Sequence, residues 1–215
     1  FLIEGAPKKI LVDTGSYAEL MKKYWPGKGV DFQTLEEALA KEGLVPDDIE
    51  IIIQTHLHHD HCGYHKLFKN AEVIVQKAEW EFAMNPHPLH KQYYPKELME
   101  GWTKKLIEGD VELYPGIDII HTPGHTPGTQ SVIVETSKGK VVIAGFCSLD
   151  CTFDNPADVL PEGHPFGHWE VFAPAIATDL TVAYDQSLRV KNIADILLSA
   201  HGNGKGDGFK DLVIE

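Results

Sequence analysis

Four histidines and one aspartate fall within six positions, His56-Leu57-His58-His59-Asp60-His61, just after the apolar run Ile51-Ile52-Ile53. Imidazole nitrogens and carboxylate oxygens are ligands that zinc, iron and manganese take from proteins. In an extended chain, side chains two apart share a face. His56 and His58 can therefore converge on one ion if the strand geometry persists. Asp60 and His61 lie past the expected turn and can address a second. A polar surface loop accounts for one or two chance histidines, but poorly for four beside an aspartate. The cluster is internal and interrupted, so it is no purification tag.

A fifth histidine, His125, sits in Thr122-Pro-Gly-His125-Thr-Pro-Gly128. Proline and glycine hold such a backbone in fixed turns, which aims one imidazole rigidly. His125 thus completes a three-histidine set with His56 and His58. His121 reads instead as a packed strand-end residue. His87 and His90 lie in the proline-rich stretch 85–95 and read as exposed loop histidines. Tyr93 and Tyr94, in the same stretch, are candidate substrate contacts.

The elements that must position these residues follow from pattern. Strands are expected at Lys9–Val12, ending in the turn signal Asp13-Thr14-Gly15, and at Ile49–Gln54, which delivers the histidine cluster. Short helices are expected over Ser16–Tyr24 and from the capping box Thr34-Leu-Glu-Glu37 through Leu44. Gly63 would let a helix N-terminus approach the cluster closely. Val73–Val75 reads as a strand and Gln76–Met84 as a helix. Val111–Tyr114 and Ile117–His121 read as a hairpin around Pro115-Gly116. Thr129–Thr136 and Lys140–Phe146 are two more strands. A long loop over Cys151–Ala177, with Phe153, Phe166 and Trp169 among its prolines, suggests a lid for a substrate with hydrocarbon character. A helix capped by Thr178 or Asp179 runs through Asn192, and a strand over Ala194–Ser199 presents His201.

Four stretches, taken together and in this order, resemble the metallo-β-lactamase superfamily: Val12-Asp13-Thr14-Gly15, His56-x-His58-x-Asp60-His61, His121-Thr-Pro-Gly-His125-Thr-Pro-Gly128 and Ser199-Ala-His201-Gly202. The resemblance implies an α/β (α+β) fold, the four-layer αββα sandwich, with residues 1–215 forming a single hydrolase domain. It implies two divalent ions, zinc first among zinc, iron and manganese. His56, His58 and His125 would hold one, and Asp60, His61 and His201 the other. Asp13 would support the site from beneath rather than bind metal. The implied partner is a small ester, lactone or thioester.

One position departs from the family pattern. A strand ending in Gly-Asp is expected, its aspartate bridging the ions, but the chain reads Ala144-Gly145-Phe146-Cys147-Ser148-Leu149-Asp150. Either the Cys147 thiolate fills the role, or Asp150 loops back to fill it, or the bridge is absent. Thiolate is a good zinc ligand and Cys147 follows the strand directly, although free cysteine is ordinarily just a small buried residue. Within the superfamily the chain most resembles the N-acyl-homoserine lactonase branch, in the spacing of His125 and the Pro-Gly repeat around it. Many of those enzymes carry a tyrosine shortly beyond the bridging aspartate; none occurs here between Ser148 and Phe153. A glyoxalase II-like thioester hydrolase, a di-iron redox protein and a non-catalytic metal-binding protein of the same fold are the competing readings.

Magnitudes favour ligands over bases. Metal coordination moves the pKa of water from about 15.7 to about 7, roughly 12 kcal/mol at about 1.36 kcal/mol per unit. A positioned histidine base contributes about 10²–10⁴-fold, roughly 3–5 kcal/mol. The expected chemistry is attack by a metal-bound hydroxide on a carbonyl, with Asp60 shuttling the proton.

Bulk properties bound the rest. The 215 residues are 43% apolar and 24% charged, enough for a sizeable core and against disorder. A formal charge of −13 disfavours nucleic acid and anionic membranes as partners, and no apolar run is long enough to span a bilayer. Three cysteines give no disulfide framework and point to a reducing, cytoplasmic setting. Phe1-Leu-Ile begins in mid-strand, so the natural start is expected to lie upstream.

Overall fold

The computed structural model describes residues 1–24, 29–202 and 213–214. These fall into two compact units, 1–108 and 109–215. Each carries one five-stranded sheet with its own helices, among the described residues.

In the first unit the strands stand in chain order: β1 (Leu2–Ile3), β2 (Ile10–Val12), β3 (Ile51–Ile53), β4 (Glu72–Gln76) and β5 (Thr103–Ile107). β1 is antiparallel to β2 and the others run parallel. Three helices belong to this unit: α1 (Ala18–Tyr24), α2 (Leu35–Lys41) and α3 (Lys77–Met84). Thr34 and Glu37 form the expected reciprocal cap at the start of α2, worth about 1 kcal/mol. The central β3 is buried on both faces, which is why its sequence is an unbroken isoleucine run rather than an alternation.

β3 is shorter than the expected Ile49–Gln54. The Thr55 N–H goes to the Asp13 side chain at 2.7 Å instead of to a neighbouring strand, so the sheet ladder stops and the histidine segment leaves it. The chemistry begins where the backbone pairing ends. β5 carried no strand signal, because Thr103, Lys104 and Lys105 are exposed on a sheet edge. Lysines there discourage pairing with another chain, and they also hide the apolar pattern.

The second unit has β6 (Val111–Tyr114), β7 (Ile117–His121), β8 (Gln130–Thr136), β9 (Gly139–Ile143) and β10 (Ile196–Leu198), in sheet order β10-β9-β8-β7-β6. Only β10 to β9 is parallel among these pairs. The hairpin at Pro115-Gly116 forms as its sequence predicts. Within the expected loop, α4 (Pro156–Val159) makes a single turn, and α5 (Leu180–Ile193) follows, capped by Asp179. Among the described residues, no helix is long and apolar enough to cross a membrane.

Two glycines permit backbone contacts that any side chain would block. At Gly63, a Cβ would lie 2.8 Å from Gly15 O and 3.0 Å from Ser16 Cα. What approaches the cluster there is therefore the turn leading into α1 rather than a helix end. At Gly124 (φ +123°), a Cβ would lie 2.3 Å from the Ala183 nitrogen in the first turns of α5. Both the left-handed φ and the contact demand glycine. Gly124→Ala is expected to cost about 3 kcal/mol or more, measured by denaturant unfolding; a loss below about 1 kcal/mol would show that α5 is not seated on this turn.

Candidate functional site

Past β3, Gln54 to His61 leave the sheet in an extended run that closes in a turn at His59–His61, where His58 O accepts from His61 N–H (2.9 Å). His56 and His58 are both buried, and their rings meet nearly perpendicular with centroids 4.6 Å apart. The His56 and His61 ring centroids are 4.0 Å apart. The first unit thus gathers three of the expected ligands by itself, with Asp60 Oδ2 3.8 Å from His61 Nε2.

Asp13 organises this cluster. Its backbone is left-handed (φ +56°), a conformation that aspartate tolerates better than most residues. Oδ1 accepts from Thr55 N–H (2.7 Å) and Gln54 Nε2 (2.9 Å), and Oδ2 accepts from Thr55 O–H (2.7 Å) and His61 Nδ1 (2.7 Å). A carboxylate only accepts, so His61 carries a proton on Nδ1 and Nε2 is the nitrogen on the far side of the ring from Asp13. The Thr55 hydroxyl proton is likewise spent on Asp13. Thr55 Oγ1 therefore accepts from His56 Nδ1 at 3.1 Å, which places the His56 proton on Nδ1 too. One carboxylate sets two tautomers. Burial pulls the pKa of His61 down, but the charges of Asp60 and Asp13 and the Asp13 hydrogen bond outweigh it and push the value up to about 9; below that pH the metal-free ring carries a second proton, on Nε2, which a bound cation would displace.

The other histidines of this unit separate from the set. His59 is buried and stacks on Tyr24, with centroids 5.5 Å apart, and burial lowers its pKa. Neither of its ring nitrogens has a hydrogen-bond partner among the described residues. His65 packs against Trp102 at 3.8 Å, and burial alone lowers its pKa to about 3. His87 is exposed and His90 half-buried. Tyr94 is buried against His58, with centroids 4.8 Å apart; it is a wall of the cluster rather than an exposed contact. Tyr93 is half-buried, 5.0 Å from the His58 ring.

In the second unit, His125 is buried in a loop tied by Thr122 N–H to Thr129 O (2.8 Å) and Gly124 N–H to Thr126 O (3.0 Å). Its Nδ1 lies 2.5 Å from the Ile176 carbonyl. A carbonyl only accepts, so His125 also carries its proton on Nδ1. Ile176 has φ +49°, a strained conformation for a β-branched residue. His121 bonds Pro127 O through Nε2 (3.0 Å), in keeping with a packed strand end.

Cys147 Sγ lies 3.8 Å from His201 Nδ1. Asp150 takes another direction: its Oδ1 accepts from Ser199 O–H at 2.6 Å, while its N–H binds Gly202 O. Sequence reasoning missed three supports, namely Thr55, Ile176 and the fully buried Glu79. None stands in a motif that marks it, and each acts through a contact remote in sequence.

The family model for the metallo-beta-lactamase superfamily matches residues 1–181. An N-acyl homoserine lactonase from Bacillus sp is 38% identical over 155 residues, which cover 66% of this chain and 60% of that protein. One from Bacillus thuringiensis is 37% identical over 175 residues, covering 75% and 67%. The chain therefore spans 60–67% of the length of these relatives. A solved N-acyl homoserine lactone hydrolase, holding the product N-hexanoyl-L-homoserine at its catalytic metal center, aligns with 95% of this chain and 80% of its own at TM-score 0.68 and 30% identity.

Asp13→Asn tests the tautomer argument. An amide facing His61 Nδ1 is a donor, so the ring must carry its proton on Nε2 instead. Above about pH 9, where the wild-type ring is neutral, we expect inverted His61 ¹⁵N shifts by NMR, with a stability loss of about 1–3 kcal/mol. An unchanged Nδ1–H signal would refute the assignment.

Proposed function

The chain belongs to the metallo-β-lactamase superfamily, and on that footing we propose that it is a metal-dependent hydrolase that opens the lactone ring of N-acyl homoserine lactones. The observation that carries this reading is the tautomer pattern. His56, His61 and His125 each donate Nδ1–H to an oxygen, the supporting contact that metal-ligating histidines ordinarily make. A donor set of imidazoles with one carboxylate fits zinc, iron or manganese.

On the family pattern, His56, His58 and His125 would hold one ion, and Asp60, His61 and His201 the other. Cys147 takes the place of the family's bridging aspartate, supported by its approach to His201, whereas Asp150 is engaged with Ser199. A thiolate at that position favours zinc. Residues 1–215 then act as one hydrolase domain. The three free thiols suit a reducing, cytoplasmic setting.

When bound, such ions polarise a carbonyl and bring the pKa of water to about 7. Asp13, through Thr55 and directly, keeps His56 and His61 in the tautomer that can ligate. The Ile176 carbonyl does the same for His125. The Asp60 carboxylate takes a proton from the attacking water at Oδ and passes it to the ring oxygen as that oxygen leaves. The new C–O bond forms, the ring C–O bond breaks, and the water proton ends on the homoserine hydroxyl. The acyl chain would be received by apolar side chains that the second unit leaves exposed: Ile176, which touches His125, with Leu180 and Phe166 as further candidates. The lactonase relatives and the product-bound structure support this substrate class.

Metal content by mass spectrometry, with an N-acyl homoserine lactone, S-acyl-glutathione and β-lactam panel, tests the assignment. We expect zinc and lactone turnover. Preference for the thioester would move the chain to the glyoxalase II type, iron with oxygen consumption to the redox type, and no turnover with metal bound to a binding protein. His58→Ala should lose metal uptake and at least 10²-fold in activity together; activity at the wild-type level would refute the first ligand set.

Cys147→Ser should release the second ion on dialysis while the first is kept, and Cys147→Asp should retain both. Equal stoichiometry in wild type and the serine variant would remove Cys147 from the site.

A further inference from the structure

Glu79 lies in the first turn of α3 and is fully buried. Its Oε1 accepts from Leu57 N–H at 2.9 Å and from Tyr94 O–H at 3.0 Å. Leu57 is the residue between His56 and His58, and its side chain is itself fully buried in the core of the first unit. The Tyr94 ring stands edge-on to His58, 4.8 Å between centroids and 69° between planes. One carboxylate oxygen therefore fixes the backbone that spaces the two imidazoles and the wall beside one of them.

Structure alone does not require a charge here. With β3 ended at Ile53, the Leu57 N–H needs an acceptor, and leaving a buried N–H unmet costs about 1–3 kcal/mol. A glutamine would meet that need. Burying a carboxylate costs several kcal/mol unless it is compensated, so a neutral acceptor would serve a purely structural purpose at lower cost. A buried negative charge beside His56 and His58 is instead complementary to a dication between them.

We propose that Glu79 is a positioning residue for the ion that His56 and His58 would hold. It locks the Leu57 amide so that both rings face one way, braces His58 through Tyr94, and draws the cation by charge without ligating it. This rests on the metallo-hydrolase reading above.

Three variants separate its components. Glu79→Gln keeps the acceptor and removes the charge, Glu79→Ala removes both, and Tyr94→Phe removes only the brace. Zinc affinity is read by competition with a chromophoric chelator, and ligand geometry by the visible spectrum of the cobalt-loaded protein. We expect zinc affinity to fall about tenfold in Glu79→Gln with the cobalt band unmoved. Glu79→Ala should lose up to about 100-fold, with a shifted band. Tyr94→Phe should shift the band with a smaller loss. In the metal-free protein, exchange of the Leu57 amide should be slow in wild type and in Glu79→Gln, and fast in Glu79→Ala.

Wild-type affinity and spectrum in all three variants would overturn the proposal. Should Glu79→Ala not fold, unchanged affinity in Glu79→Gln together with an unchanged spectrum in Tyr94→Phe would overturn it equally. A wild type that takes up no metal overturns the metallo-hydrolase reading as well, whereas a wild type that binds zinc indifferently to these substitutions overturns this inference alone.

Discussion

An imidazole points a lone pair in a fixed direction only when its other nitrogen is committed elsewhere. In this chain that commitment falls largely on Asp13. It lies just past β2, accepts hydrogen bonds from Gln54, Thr55 and His61, and through Thr55 reaches His56. The same carboxylate that stops the β3 ladder holds the turn carrying His61. Ending the strand and orienting the ligands are one physical event. A residue unable to accept hydrogen bonds at position 13 would leave several buried donors unmet, each costing about 1–3 kcal/mol.

The second unit solves the same problem with backbone rather than side chain. His125 Nδ1 is met by the Ile176 carbonyl, from a residue held at φ +49°. A β-branched residue in that region is strained by about 1–3 kcal/mol, and the segment is held on both sides. Ala175 N–H binds Cys147 O, and Thr178 N–H binds His125 O. Strain concentrates beside the residue that the proposed chemistry uses, as expected where surrounding contacts over-determine a site.

Much of this was legible in the residues themselves. The isoleucine run, the histidine spacing, the turn signal at Asp13-Thr14-Gly15, the capping box at Thr34–Glu37 and the hairpin at Pro115-Gly116 are local, and local chemistry sets them. The illegible parts are of two kinds. β5 was hidden because its exposed lysines reflect its place at a sheet edge, not its backbone conformation. Glu79, Thr55 and Ile176 were hidden because each matters through a partner: Glu79 reaches back 22 residues to Leu57, and Ile176 reaches back 51 to His125. His59 shows the converse. It is as close in sequence to the proposed ligands as any residue, yet it packs on Tyr24, because the chain turns at His59–His61 and strand alternation no longer sets where its side chain goes.

By itself, the order of residue types determined which groups were available for metal chemistry and that a cysteine stands where an aspartate was expected. Composition and spacing carry that information because ligand identity is a property of the side chain. Only the tertiary structure decided which oxygens meet the Nδ1 atoms of His56, His61 and His125, and that Cys147 approaches His201 while Asp150 turns to Ser199. Those outcomes depend on hydrogen bonds between residues distant in the chain, which no local pattern encodes.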